Sequence, residues 1–313
     1  MRLATILPRG SLEPVPVASA PDGTWIELAG LIGREANQLR PALAWLTAHQ
    51  RPLPERAAAW HGPRYRESEF AYLPPVVRPP TLRFFEGNEA AARARMARHG
   101  GAPGPGWAAR PGFFFGNPTA IAGHGSEFPA PADGAALDFE AQVGVVIGQT
   151  GRDLAPGDAW AHVFGFTLLL ALRRRDAEAA EREAGLGPGK SADFATVVGP
   201  WLVARQALGR AIAGERLALP VRARLNGRDE ITGDLRELTH SIPRMLAEAS
   251  RGVTLYPGDL IGTGAVAPRT GEPGRWLRAG DVVECEAEHL GRLEVRIAAE
   301  KKRASRGGKK TGA

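Results

Sequence analysis

The 313-residue chain lacks the marks of several protein classes. It has one cysteine, Cys285, so no disulfide can form within it, and a reducing cytoplasm is the expected setting. Cys285 lies in the alternating stretch "DVVECEAEHL" and reads as a small packed residue of a strand, not as a nucleophile. No apolar run approaches the ~18 residues of a membrane span. The apolar part of the opening "MRLATILPRG" is too short for a secretory signal, so a soluble protein is expected. The body also lacks a charge excess. The net charge is +6, and the tail "KKRASRGGKKTGA" (301–313) carries six Lys and Arg with no acid. No aromatic interleaves those charges, so the tail reads as a disordered, solvated terminus, and neither nucleic acid nor membrane is an expected partner. No internal repeat is visible.

Glycine and proline are abundant, at 39 and 26 residues, which predicts many turns and short strands. Residues 1–31 read as short strands, and 31–60 are Ala/Leu/Arg-rich with helical spacing. An extended Pro-rich connector follows at 74–82, and "RFFEGNEAAARARMARH" (83–99) reads as a helix. From Phe113 the text is mostly β, with helices expected at about 172–184 and 241–250, the latter capped by Ser241 with a proline in its first turn. Scattered helices in strand-rich text argue against a doubly wound parallel sheet.

The stretch "LDFEAQVGVVIG" (137–148) has the most chemistry in it. Strand side chains alternate, so Asp138, Glu140 and Gln142 share one face ahead of an apolar run. Two carboxylates and an amide on one face could form half of a metal site.

In order, the motifs "LDFEAQVGVVIG", "GFTLLLALRRRD" (165–176), "GLGPGKSADFATVVGPWLV" (185–203), "LNGRDEITGD" (225–234), "YPGDLIGTG" (256–264) and "LRAGDVVECE" (277–286) resemble the fumarylacetoacetate hydrolase family. The likeness runs from about Leu73 to Ile297. It implies an α+β, mostly β protein: a mixed β-roll, β-clip-like core with a smaller N-terminal domain, usually homodimeric. The expected division is 1–72, 73–300 and the tail 301–313. Members typically cleave, isomerise or decarboxylate acylpyruvates and related β-diketo acids with Mg²⁺ or Mn²⁺. A hard cation on oxygen ligands chelates the dicarbonyl, a His–Glu pair activates water, and a Lys stabilises the developing oxyanion.

Carried over position by position, the resemblance puts the first metal ligand at Glu140, but the second ligand position holds Gln142 and the third Ala171. The family's lysine position holds Ala192, with Lys190 two residues upstream. The threonine of the last loop is replaced by Ala265, with Thr263 nearby. The helix expected to bear the catalytic histidine has only His99, with Glu86 and Glu89 as possible acids. Asp138 could replace Gln142 in a displaced metal site completed by Asp176 or Asp193. Glu140, Arg175 and Lys190 are the candidate catalytic residues; Arg173, Arg174, Thr263 and His124 are the candidate substrate contacts.

The first expectation is a family scaffold whose Mg²⁺-dependent chemistry is impaired or lost. A second is a metal-free binder of small oxo-acids or dicarboxylates, built on the run Arg173–Arg175, or a partner subunit of an active paralogue. A third is metal-independent catalysis by Glu140, with a pKa raised by the missing cation.

Overall fold

In the computed structural model, residues 1–33, 38–49, 57–98, 100–131, 134–272 and 274–299 are described. The basic tail and His99 lie outside them. A twelve-stranded mixed sheet forms the centre. Its main path runs Arg64–Tyr65, Trp25–Glu27, Val15–Ser19, Arg2–Pro8, Ala195–Ala204, Val163–Arg174, Leu137–Ile147, Leu260–Gly262, Leu82–Phe85 and Phe113–Phe115. A second, five-stranded sheet runs Arg228–Asp234, Pro220–Leu225, Val282–Ala287, Gly291–Ala298 and Ser126–Pro129. The N-terminal strands extend the large sheet, since Arg2 and Leu3 pair with Val203 and Leu202.

The strand Leu137–Ile147 is buried almost throughout because it is central, with core on both faces. Leu137, Phe139, Ala141, Val143 and Val145 join one apolar cluster, while Val146 joins the other with N-terminal residues such as Leu3 and Leu43. Continuous β-branched text such as "VGVVI" is what a strand covered on both sides requires. Its neighbour, Val163–Arg174, runs antiparallel in a register that sets Asp138 opposite Arg173, Glu140 opposite Ala171 and Gln142 opposite Leu169.

Two expected helices are displaced. The text 83–99 splits into the strand Leu82–Phe85 and the helix Glu89–Ala97, which starts where Asn88 accepts a hydrogen bond from the Ala91 N–H (3.0 Å). "LRFF" is apolar enough to be drawn into the sheet, and Gly87–Asn88 ends it. The helix expected from 172 begins at Arg175, because the strand holds residues through Arg174 in pairing with Leu137. The helix Ile242–Ser250 forms as expected, with Ser241 as its cap. Among the described residues no helix is long and apolar enough to cross a membrane.

Candidate functional site

A cavity of about 60 Å³ opens beside Glu140. Five segments wall it: the two central strands, the helix Glu89–Ala97, the start of the helix Arg175–Glu183, and the loop from Gly264 to Arg269. Gly264 has φ +84°, and a Cβ there would lie 2.5 Å from the Phe85 carbonyl oxygen, so the loop can press this close only with glycine. Its N–H donates to the Gln142 amide oxygen (3.1 Å).

The wall is charged. Arg175, buried at the helix start, donates from Nε to Asp138 (2.9 Å), from Nη2 to Glu140 (2.9 Å) and from Nη1 to Glu178 (2.7 Å). Asp138 is also held by Arg98 (2.9 Å) and Arg269 (3.0 Å), and Arg269 reaches Glu230 (2.8 Å). Arg95 bridges Glu86 and Glu178. Arg173 approaches Glu140 at 3.5 Å through Nε and lies 4.1 Å from the ring centre of Phe84. Five guanidiniums thus face five carboxylates, with Arg182 touching Glu178 at the rim (3.4 Å). The network neutralises itself.

The rise in the Glu140 pKa expected from a missing cation is not found. Burial pushes the Glu140 carboxyl up, but Arg173, Arg175 and Arg95 outweigh it and hold the pKa down at about 2. Asp138 is likewise pushed up by burial and pulled further down, to about 2, by Arg175 and Arg98. It does not end its strand in solvent; it is 1% exposed. The same carboxylates raise the pKa of Arg175 against the effect of its burial.

The candidates divide sharply. Glu140, Asp138, Arg173 and Arg175 meet at the cavity. Gln142 lies buried behind it, donating to Glu140 (2.9 Å). Lys190 does not reach in: its side chain is 72% exposed and pairs with Asp193 (2.6 Å). Arg174 is turned to the opposite strand face from Arg173 and pairs with Asp176 (2.9 Å). That pairing and the Lys190 contact place Asp176 and Asp193 outside any displaced metal site. Thr263 is a backbone fastener, accepting from the Val143 N–H (3.2 Å) and donating to the Gly264 carbonyl (3.1 Å). His124 lies elsewhere, against Tyr72, and accepts from the Glu294 N–H (3.2 Å). Burial is the main force pushing its pKa down. Glu89 is spent on an exposed pair with Arg93 (2.6 Å).

Five network members were not among the candidates: Arg95, Arg98, Glu178, Glu230 and Arg269. Only the first three had a local signal. Arg95 and Arg98 stand three apart, and Glu178 three after Arg175, the spacing that aligns side chains along a helix.

A divalent cation does not fit these residues. Ala171 offers no donor opposite Glu140, Gln142 brings no charge, and the three carboxylates nearest the cavity centre are already paired with Arg175. Among the described residues no group of three or more His, Cys, Asp or Glu is arranged to hold a metal ion.

Solved structures define the class of fold. A fumarylacetoacetate hydrolase from Exiguobacterium antarcticum superposes with a TM-score of 0.73 at 23% identity, covering 96% of this chain and 100% of that one. A maleylpyruvate hydrolase from Sphingobium sp. SYK-6, solved with manganese(II) and pyruvate, gives 0.72 at 22%, with the same coverage. The architecture is therefore the α+β, mostly β arrangement of mixed sheets found in those proteins. Residues 87–298 match the family described as fumarylacetoacetate (FAA) hydrolase C-terminal, and the chain belongs to that family. A mitochondrial oxaloacetate tautomerase of Bos taurus is 30% identical over 239 residues, 75% of this chain and 72% of that protein. An oxaloacetate tautomerase of Bacillus subtilis is 30% identical over 190 residues, 60% of this chain and 61% of that protein.

Proposed function

We propose that this protein keeps the family's site for a small oxo-acid but works without a divalent cation, and that metal-dependent hydrolysis, decarboxylation or isomerisation of acylpyruvate-like acids is impaired or lost. The names of its relatives supply the ligand class: oxaloacetate for the tautomerases and maleylpyruvate for the hydrolase. The observation that carries the reading is the guanidinium of Arg175, bonded to Asp138, Glu140 and Glu178 at 2.7–2.9 Å. With Gln142 and Ala171 at two of the three ligand positions, it leaves no free set of carboxylates for a cation.

The energetics support the substitution. A doubly charged ion about 4 Å from one guanidinium is repelled by roughly 8 kcal/mol at an effective dielectric constant of ~20. Micromolar affinity is worth about 8 kcal/mol. Arg175 cannot step aside by losing its proton, because arginine stays charged at every physiological pH. Without a metal there is no Lewis acid to polarise a carbonyl, and Glu140, ionised down to pH about 2, is a poor acid and a weak base near neutrality. What the arginine-lined wall can do is bind and orient an anionic ligand.

Two measurements on the purified protein test this. Calorimetric titration with Mn²⁺ and Mg²⁺ is expected to show no micromolar binding. Ultraviolet assays of oxaloacetate tautomerisation and acylpyruvate cleavage are expected to give the same rates with Mn²⁺ as with EDTA, no faster than protein-free buffer. Micromolar Mn²⁺ affinity, or turnover that EDTA abolishes, overturns the proposal.

A further inference from the structure

Arg173 differs from the other guanidiniums of the network. Arg175 uses all three of its nitrogens on carboxylates. Arg173 is 3% exposed, yet its one polar side-chain contact is the long 3.5 Å approach of Nε to Glu140. Its Nη1 and Nη2 are buried and, among the described residues, have no hydrogen-bond partner. A buried guanidinium with both terminal nitrogens unpartnered is rare and calls for a physical reason. Phe84 and Phe114 take part of the charge, with ring centres 4.1 and 5.0 Å from the Arg173 Cζ. Contact with the rings engages the charge without using the donors of the Nη1–Nη2 edge.

We propose that this edge is a carboxylate receptor: Arg173 takes a small planar monocarboxylate end-on, through two parallel N–H···O bonds, with no metal ion between protein and ligand. The proposal rests on the metal-free reading above and names the group that does the binding. Planar, bidentate geometry matches a carboxylate to an arginine fork. Charge favours a monoanion over phosphate, because Glu140 and Asp138 stand on the same strand face and repel a second negative charge. The cavity of about 60 Å³ beside Arg173 suits a carboxylate with a carbon or two. Ala192, where the resemblance expects a lysine, lines that cavity with only a methyl group and puts no competing cation there. Arg269 also has one unpartnered buried nitrogen, Nη2, but its other donors are committed to Asp138, Glu230 and the Arg275 carbonyl, so it has no fork to offer.

The test uses pyruvate as the probe, in EDTA, followed by ligand-observed NMR on the full-length protein. Wild type should bind pyruvate in the millimolar range or tighter, and an equal concentration of inorganic phosphate should not displace it. Arg173→Lys keeps the charge, and with it the network, but removes the fork; it should weaken binding at least ~10-fold with an unchanged far-UV spectrum. Arg174→Gln should bind as wild type does. The assignment is overturned if wild type binds no pyruvate in EDTA, if Arg173→Lys binds as tightly as wild type, if Arg174→Gln binds at least ~10-fold more weakly, or if phosphate displaces the probe. Pyruvate binding that appears only after Mn²⁺ is added refutes the metal-free reading as well. Absence of both pyruvate and Mn²⁺ binding refutes the Arg173 assignment alone.

Discussion

The molecule contains two Arg–carboxylate lattices, one inside and one outside. On the five-stranded sheet, Arg292 meets Glu284 and Glu294, and Arg296 meets Glu294 and Glu127, with arginine side chains about half exposed (54% and 50%). Around the cavity, Arg175, Asp138, Arg269 and Glu230 are each 7% exposed or less. The residue types are the same and the contact lengths overlap. In water, such pairs gain little over the hydration they give up. In the interior, every charge must be matched or the structure bears the desolvation cost, so the inner lattice decides what else can enter the site.

The contrast can be broken from the inside first. Arg175→Ala leaves Asp138, Glu140 and Glu178 without their shared partner, and urea unfolding should show a loss of about 3–5 kcal/mol. A loss below ~1 kcal/mol would mean that the inner lattice behaves like the outer one. Acid provides the next largest effect. Asp138 and Glu140 titrate near 2 in the folded state against ordinary values of 3.8 and 4.5. Because the folded values are depressed, their stabilisation is present above about pH 4.5 and is lost as pH falls toward 2. At about 1.4 kcal/mol per pH unit each contributes of order 2–4 kcal/mol, less than additively because both lean on Arg175. Chemical denaturation at pH 6, 4 and 3 should show this decline, and Glu140→Gln should flatten it; an unchanged slope in that variant would remove Glu140 from the explanation. The smallest effect lies outside. Arg292→Ala should cost under ~1 kcal/mol, and 0.5 M NaCl should shrink the difference further. A larger, salt-resistant loss would erase the distinction.

Much of this was readable in the sequence, for reasons of periodicity. Alternation alone put Asp138, Glu140 and Gln142 on one face, and the same rule along "ALRRR" separates Arg173 from Arg174, a discrimination the three-arginine run obscured. The motif order gave the family and put Ala171 at the third ligand position, and the strand register sets it opposite Glu140. What periodicity could not supply was the identity of the countercharges. Arg269 and Glu230 arrive from a loop and a strand 90 or more residues downstream of Glu140, and nothing local ties them to it. The expected rise in the Glu140 pKa came out as a fall for a nearer reason: Arg173, Arg175 and Arg95 surround its carboxylate, and the sequence reading assigns the first two to other roles and does not single out the third. Lys190 and His124 misled for the opposite reason. They were near in sequence or motif, yet one is spent on Asp193 at the surface and the other packs against Tyr72.

A positive centre that is part of the polypeptide has no dissociation constant. It cannot be starved by chelators, displaced by a competing ion or tuned by cellular manganese supply. Replacing Arg175 first strands three acids in a dry interior, while adding an acid at position 171 first gives the resident guanidinium a further partner. On the proposed metal-free reading, a cation could be accommodated beside Glu140 only through a destabilised intermediate or by changing several of these positions together.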